Sequence, residues 1–283
     1  FLLKKEKLLD TKYLKDRALA LMIPYGIYLS LDWLIIRRNF SINTIVHLLW
    51  GGRALDGVYW YTTCLIAALF LLGFLIKNFS ERSAKLLILT GGGIAVLESH
   101  LCEHISVLDY PGMPWSIDVA LIAIVYLAIG FYFKMKIRNF MEDSNKLFDT
   151  VAVMASLFLI IFCVINYSGD NILYYFDMKP RYYKELVLAI VIPCLFGIVL
   201  CRTVYWISRI RILNCVQHCF SYLGQVTIPI MYMHVMLNAW KKQLSYSLFV
   251  YVLIGIGFPI IFSLVFCRFK IMQVLFGLPV PKV

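Results

Sequence analysis

The sequence predicts an all-α integral membrane protein, a polytopic bundle of about eight transmembrane helices. Of its 283 residues, 61% are hydrophobic and 15% are charged, whereas soluble domains carry roughly a quarter charged residues. The mean hydropathy is +0.81, and apolar runs recur along the whole chain. Several of these runs approach the roughly 20 apolar residues that a helix needs to cross a bilayer. No stretch is left for a soluble domain, so residues 1–283 are assigned to a single membrane domain.

The apolar runs give eight candidate spans. Helices are expected rather than strands, because backbone groups in lipid must be hydrogen-bonded within the segment and residues 65–72 do not alternate between polar and apolar. The predicted spans are residues 18–36, 57–76, 86–101, 117–133, 150–168, 185–201, a segment within 212–240, and 247–267.

Basic residues are divided unevenly between the two sides of these spans. With residue 1 in the cytoplasm, 19 of the 27 Lys and Arg lie on the cytoplasmic side and 8 on the outer side. Cytoplasmic loops carry the excess of positive charge, so this predicts a multi-pass protein of the inner or plasma membrane with both ends of the segment in the cytoplasm. The net charge of +11 then faces anionic lipid or an anionic cytosolic ligand, and nucleic acid is not needed to explain it.

Four ionisable residues are expected at membrane depth: Asp32, Glu98, Asp118 and His234. A carboxylate in mid-bilayer costs about 2.5–3.5 kcal/mol on insertion scales, so such residues usually face a polar interior and mark function. The alternative for Asp32 and Asp118 is a position near an interface, and Asp118 also suits a helix N-cap after Pro114. His234 lies deeper in its apolar run, which favours a functional role.

Two further patterns have simple structural explanations. His100 to His104 reads H-x-x-E-H, the pattern of inverted zinc proteases. It lies at a helix end with no domain to hold a peptide, so no metal site is expected. Trp60 and Tyr61 open the second span, where an interfacial aromatic belt explains them well.

Four segments together resemble the membrane acyltransferase-three family, which includes sugar O-acetylases. Residues 13–25 are similar to the basic "R…xxPY" start of the family's third helix, and residues 57–65 to its "WF…L" signature, with Tyr61 for Phe. Residues 114–121 resemble "PWxxDxAL". Residues 220–234 resemble "YLGKNSLxIYxxH", departing at Gln225 and Val226. The resemblance covers roughly residues 13 to 266.

The resemblance implies a function and a set of site residues. The family core has ten helices, so two are expected upstream of Phe1, which fits a chain without an initiator Met. Family members carry an Arg and a catalytic His on the first helix. They transfer an acyl group, usually acetyl, from cytoplasmic acyl-CoA to a hydroxyl of an extracytoplasmic glycan or lipid-linked sugar.

By the same resemblance, the expected roles divide between donor and acceptor. Lys15 and Arg17 would contact the phosphates of acyl-CoA, although anionic headgroups explain them equally well. The residues assigned to the acceptor are Trp60, Tyr61, Asp118 and Thr227.

His234 is the candidate base within the segment. The alternative function is a transporter or sensing module on the same fold, for which Gly91–Gly93 is the candidate helix break.

Overall fold

In the computed structural model the chain is built almost entirely from α-helices. The structure describes residues 5–37, 42–55, 57–102, 112–143, 145–168, 174–210, 214–244 and 247–280. The helices are α1 (Lys5–Leu9), α2 (Thr11–Leu31), α3 (Ile42–Trp50), α4 (Tyr59–Asn78), α5 (Glu81–Cys102), α6 (Ile117–Tyr132), α7 (Lys134–Glu142), α8 (Lys146–Ser168), α9 (Leu186–Arg209), α10 (Asn214–Gln225), α11 (Thr227–Leu244), α12 (Leu248–Phe266) and α13 (Lys270–Phe276).

Four short elements complete the described architecture, namely a β-hairpin, a π-helix and two 3-10 turns. A two-stranded antiparallel hairpin, β1 (Phe176–Asp177) and β2 (Tyr182–Tyr183), lies between α8 and α9, with Phe176 paired to Tyr183. Helix α2 continues as a π-helix over Asp32–Arg37. Single 3-10 turns, Gly52–Ala54 and Pro114–Ser116, come shortly before α4 and directly before α6.

Six helical segments in the described part of the chain are long and apolar enough to cross a membrane, which is consistent with a multi-pass bundle. They correspond to six of the eight predicted spans. The segments are Tyr59–Asn78, Glu81–Leu101, Pro114–Tyr132, Lys146–Tyr167, Leu186–Arg209 and Leu248–Phe266.

The predicted count of eight is not confirmed. Span 18–36 falls in α2 and its π-helical continuation, and α2 carries Lys12, Lys15, Asp16 and Arg17 in its first two turns. The span expected within 212–240 is divided at Val226 between α10 and α11, and the apolar part of α11 covers only Thr227–Leu237.

Helices α4 and α6 form the centre of the bundle. In each of them 44% of the residues in an apolar 18-residue stretch are buried, against 11% for α8 and 17% for α12. Small residues allow close packing around this centre: a Cβ on Gly92 of α5 would lie 2.9 Å from Val125 of α6. The apolar surface left exposed on the outer helices, such as Leu157 and Ile161 of α8, suits contact with lipid chains.

The two ends of the bundle are chemically different. The end of α5 meets the start of α6 where Glu98 and Asp118 share one arginine, and this is termed the Asp118 end. At the opposite end, Lys85 of α5 lies 4.6 Å from the ring centroid of Tyr132 of α6. Helix α7 follows there, and this is termed the α7 end.

The start of α2 lies at the α7 end. A Cβ on Gly73, near the end of α4, would lie 3.0 Å from Leu14 and 3.2 Å from the carbonyl oxygen of Leu8. Lys15 and Arg17 therefore lie at the end of the bundle opposite Asp118.

Candidate functional site

A buried ion-pair cluster occupies the Asp118 end. The Arg181 side chain, 2% exposed, lies with one guanidinium nitrogen 3.0 Å from Oδ2 of Asp118, and the same nitrogen donates to Glu98. Asp118 is fully enclosed and also accepts from the backbone N–H groups of Val119 at 2.9 Å and Met113 at 3.3 Å. Asp118 lies inside the first turn of α6, and Ser116 holds the N-cap position without a side-chain hydrogen bond, so the sequence alternative that made Asp118 the helix cap is wrong. Asp118 is instead a member of a buried charged cluster.

The β-hairpin delivers Arg181 to this cluster. Residues 178–181 form its turn, and Arg181 itself adopts a left-handed backbone conformation with φ +64°. Beyond the turn, the backbone N–H of Tyr183 donates to Oγ of Ser99 on α5 at 2.9 Å. Burial raises the pKa of the Tyr183 phenol well above its ordinary value, with Cys64 and Asp118 adding to the effect, so the ring stays neutral beside the cluster.

The turn before α6 is strained and closely packed. Trp115 and Ser116 both adopt positive φ, at +58° and +55°, a region that costs an ordinary L-residue roughly 1–2 kcal/mol. A Cβ on Gly52 would lie 2.6 Å from both the backbone nitrogen and Oγ of Ser116. The Trp115 indole N–H donates to the carbonyl of Leu49 at 3.3 Å. Strain of this kind, held by its surroundings, is typical of functional sites.

Residues 49–52, where α3 ends and the 3-10 turn Gly52–Ala54 begins, also link this turn to the tyrosine cluster, here Tyr25, Tyr28, Tyr59 and Tyr232. A Cβ on Gly51 would lie 3.7 Å from both Trp115 and the Tyr25 hydroxyl. Tyr232 of α11 stacks on Tyr28 of α2 at 4.9 Å and on Tyr59 of α4 at 5.4 Å.

Thr62 of α4 is hydrogen-bonded to the Tyr232 hydroxyl inside this cluster. The C-terminal helix α13 closes it, because Phe276 packs edge-on against Tyr28 at 5.5 Å.

The aromatic pair at the start of α4 has two environments. Trp60 is half-buried against the apolar core that contains Cys64 and Val119, and Val119 directly follows Asp118. Tyr61 is 47% exposed and meets Trp60 edge-on at 6.1 Å. Trp60 therefore packs into the core beside the Asp118 end, while Tyr61 presents its ring to the surroundings, as an interfacial belt residue does.

His234 lies on α11 against α12. Its Nδ1 is 2.8 Å from the carbonyl oxygen of Ile230, and a Cβ on Gly255 of α12 would lie 3.6 Å from the His234 Cβ. A carbonyl only accepts, so Nδ1 carries the proton and Nε2 is the basic atom of the neutral ring.

Four sequence-predicted residues are not joined to the Asp118 cluster by a described contact. One is His234, whose contacts lie on α11 and α12; the others are Thr227, Lys15 and Arg17. Thr227 is exposed and donates to the carbonyls of Gly224 and Leu223 at 2.8 and 3.3 Å, where it connects α10 to α11. Lys15 and Arg17 are exposed near the start of α2. The structure brings together parts of all four similar segments at Tyr25, Tyr59, Ser116 and Tyr232. These four sequence-predicted residues lie outside that set.

Two sequence patterns remain, the H-x-x-E-H pattern from His100 to His104 and the candidate helix break at Gly91–Gly93. Residues 103–111, which include Glu103 and His104, lie outside the described residues, and His100 is exposed. Among the described residues no group of three or more His, Cys, Asp or Glu side chains could hold a metal ion. Helix α5 runs unbroken through Gly91–Gly93, so the candidate helix break of the transporter alternative is not a break.

Sequence reasoning missed Arg181, the central cation of the site. From the sequence, Arg181 was noted only as one of the basic residues between two predicted spans.

No protein-family model, curated protein or solved structure matches this chain.

Proposed function

We propose that this protein is a membrane O-acyltransferase that moves an acyl group, in the first place acetyl, from acyl-CoA at the α7 end to a hydroxyl of a glycan or lipid-linked sugar at the Asp118 end. One observation carries the proposal: segments far apart in sequence and similar to acyltransferase-three motifs converge in space. Tyr25, Tyr59, Ser116 and Tyr232 belong to one connected set of contacts.

The Asp118 end has the chemistry of a carbohydrate acceptor site. Sugars are held by hydrogen bonds to charged and polar side chains and by stacking on aromatic rings. Buried Asp118 and Arg181 hold Glu98 in place, and the Glu98 side chain, 16% exposed, supplies the charged group. Trp115, 40% exposed, supplies an aromatic face at the same turn. In this proposal the charge bias of the loops places the Asp118 end outside the cytoplasm.

The α7 end suits a phosphorylated donor. Acyl-CoA carries several phosphates and does not cross a bilayer, so it requires cations on the cytoplasmic side. Lys15 and Arg17 are exposed there. Arg suits bidentate phosphate contacts better than Lys.

The acceptor hydroxyl needs a general base, which a neutral imidazole supplies near its ordinary pKa. The resemblance places this His upstream of Phe1. Within the described chain the candidate is His234, whose Nε2 is the basic atom.

The test of function is the O-acyl content of cell-surface glycan in cells that express the complete protein. Asp118→Asn keeps the size of the side chain but removes its charge, and is expected to lower the acyl content at least tenfold. Lys85→Gln, which breaks an exposed pair with Glu81 at the other end, is the matched control and leaves it unchanged. Acyl content equal to that of cells without the protein would reject the proposal.

The donor side is tested separately by calorimetry with a CoA thioester. A charge-assisted bond contributes about 1.5–3 kcal/mol, so Arg17→Ala should weaken binding roughly ten- to hundredfold, while Arg17→Lys recovers part of the affinity. Unchanged affinity in Arg17→Ala would remove Arg17 from the donor site and assign it to the lipid headgroups.

A further inference from the structure

An apolar groove runs between α6 and α9 towards the α7 end. It encloses about 510 Å³ including its open side, and Tyr126, Gly130, Ile137, Pro193, Gly197 and Cys201 line it. A Cβ added to Gly197 would meet no atom within 4 Å, so the groove is open along α9. Leu200 on the same helix is 64% exposed, as expected for a helix at the lipid boundary.

Pro193 explains why the groove persists at this point. Proline has no backbone N–H, so the carbonyl of Ala189 loses its usual helical partner. The Tyr126 hydroxyl of α6 donates to that carbonyl instead. This bond joins α6 to α9 at the end of the groove farther from α7. The space beside Gly197 is left unfilled.

The α7 helix forms the other boundary. Buried Arg202 of α9 donates to the carbonyls of Phe140 and Met141, both at 2.7 Å, and to the carboxylate of Asp149. It thereby caps the last turn of α7 and fixes this helix against α9. Ile137 is consequently held in the wall of the groove.

A cation lies on the same face of α7 as Ile137. Lys134 is three residues earlier, so it shares that face, and it is half-buried. The neighbouring cations have partners: Arg138 pairs with Glu142 at 2.9 Å, and Lys136 lies over the Phe133 ring. Within the described ranges no ion pair involves Lys134. In the described part of the chain, the groove therefore combines an apolar lining with the positive charge of Lys134 beside it.

We propose that this groove is a binding site for an anionic phospholipid, with one acyl chain along Gly197 and the headgroup phosphate at Lys134. The apolar lining matches a hydrocarbon chain, the open side faces the region where lipids reside, and the lysine complements the negative headgroup. The site is separate from the Asp118 cluster and does not depend on acyl transfer.

The proposal is tested by photolabelling in phosphatidylcholine liposomes. Phosphatidylglycerol with a diazirine in its acyl chain is compared with phosphatidylcholine carrying the same chain, and the labelled peptides are mapped. Phosphatidylglycerol is expected to label α9 around Pro193–Cys201 about fivefold more than phosphatidylcholine, the effect of one lysine near the surface. Lys134→Gln should bring this ratio close to one, while Lys136→Gln leaves it unchanged.

A second pair of variants tests the channel itself. Gly197→Leu fills the groove and should abolish labelling of this segment. Gly257→Leu on α12 is the matched control, because a Cβ there also meets nothing within 4 Å, and it should leave the labelling unchanged.

Equal labelling by the two lipids in the unmodified protein, or labelling that survives Gly197→Leu in a folded variant, would mean that only non-specific boundary lipid is present. Displacement of the label by acyl-CoA but not by phosphatidylglycerol would also overturn the proposal. If Gly197→Leu does not fold, the ratio measured for Lys134→Gln decides.

Discussion

Removing the charge of Arg181 should be among the most destabilising single changes at the Asp118 end. Arg181 is 2% exposed and contacts Glu98 and Asp118, whose side chains are 16% and 0% exposed. Arg181→Gln leaves buried Asp118 and half-buried Glu98 close together without their shared cation. Breaking a buried pair in this way costs about 3–5 kcal/mol.

Removing the charge of Asp118 should destabilise the protein less than removing the charge of Arg181. Asp118 keeps its two backbone N–H donors, Val119 and Met113, when Arg181 is removed. Asp118→Asn retains an acceptor oxygen for those donors and leaves Arg181 with Glu98, so its cost should be smaller than that of Arg181→Gln. In the double variant the two changes should be less than additive, because the two residues contact each other and Asp118→Asn removes one of the two carboxylate charges that Arg181 neutralises.

The assay is reversible unfolding of the purified protein in mixed micelles, read as a free energy. Lys85→Gln is the matched control, since its pair with Glu81 has side chains 48% and 69% exposed and exposed pairs contribute about 0–1 kcal/mol. If Arg181→Gln lowers the free energy of unfolding no more than Lys85→Gln does, Arg181 does not neutralise Asp118 and Glu98 in the folded protein.

Three further predictions concern particular residues: Gly52, Thr62, and the pair His100 and His104. Gly52→Ala should lower the free energy of unfolding by at least about 1–2 kcal/mol, because φ is +56° and the new Cβ would clash with the backbone of Ser116. The control Gly93→Ala, whose Cβ would meet nothing within 4 Å, should not lower it in the same assay. Thr62→Val should cost about 1–3 kcal/mol by leaving the buried Tyr232 hydroxyl without its partner, and adding Tyr232→Phe should restore part of this loss; a loss that the second change does not touch would refute the bond. Replacing His100 and His104 by Ala should leave metal content, measured by elemental mass spectrometry, unchanged, and stoichiometric zinc lost in the double variant would revive the zinc-site alternative.

Most of the fold follows from hydropathy alone. The six apolar helices lie close to the runs that the sequence marks, because a continuous apolar segment in lipid has few alternatives to a helix. The two predicted spans that are not among these six are interrupted in the structure. Helix α2 passes into a π-helix at Asp32, and the other span is divided by a turn at Val226. Hydropathy does not describe such local changes of the helix.

The candidate site was only partly predictable. Asp118 and Glu98 stand out as carboxylates in apolar segments, so their burial could be anticipated. Arg181 could not, because its position depends on a hairpin turn with a left-handed residue that nothing in its local sequence requires. Thr227 was chosen by resemblance, and its hydroxyl donates to the carbonyls of Leu223 and Gly224 in the last turn of α10, a local contact that the motif does not describe.

The proposed function requires acyl groups to move from a donor at the α7 end to an acceptor at the Asp118 end. It is tested most directly with sealed membrane vesicles of both orientations that contain the complete protein and are supplied externally with labelled acetyl-CoA. Inside-out vesicles, which expose the cytoplasmic face, should transfer label to glycan in their lumen, and right-side-out vesicles should not. Label transferred in neither orientation, or only in right-side-out vesicles, would contradict the account.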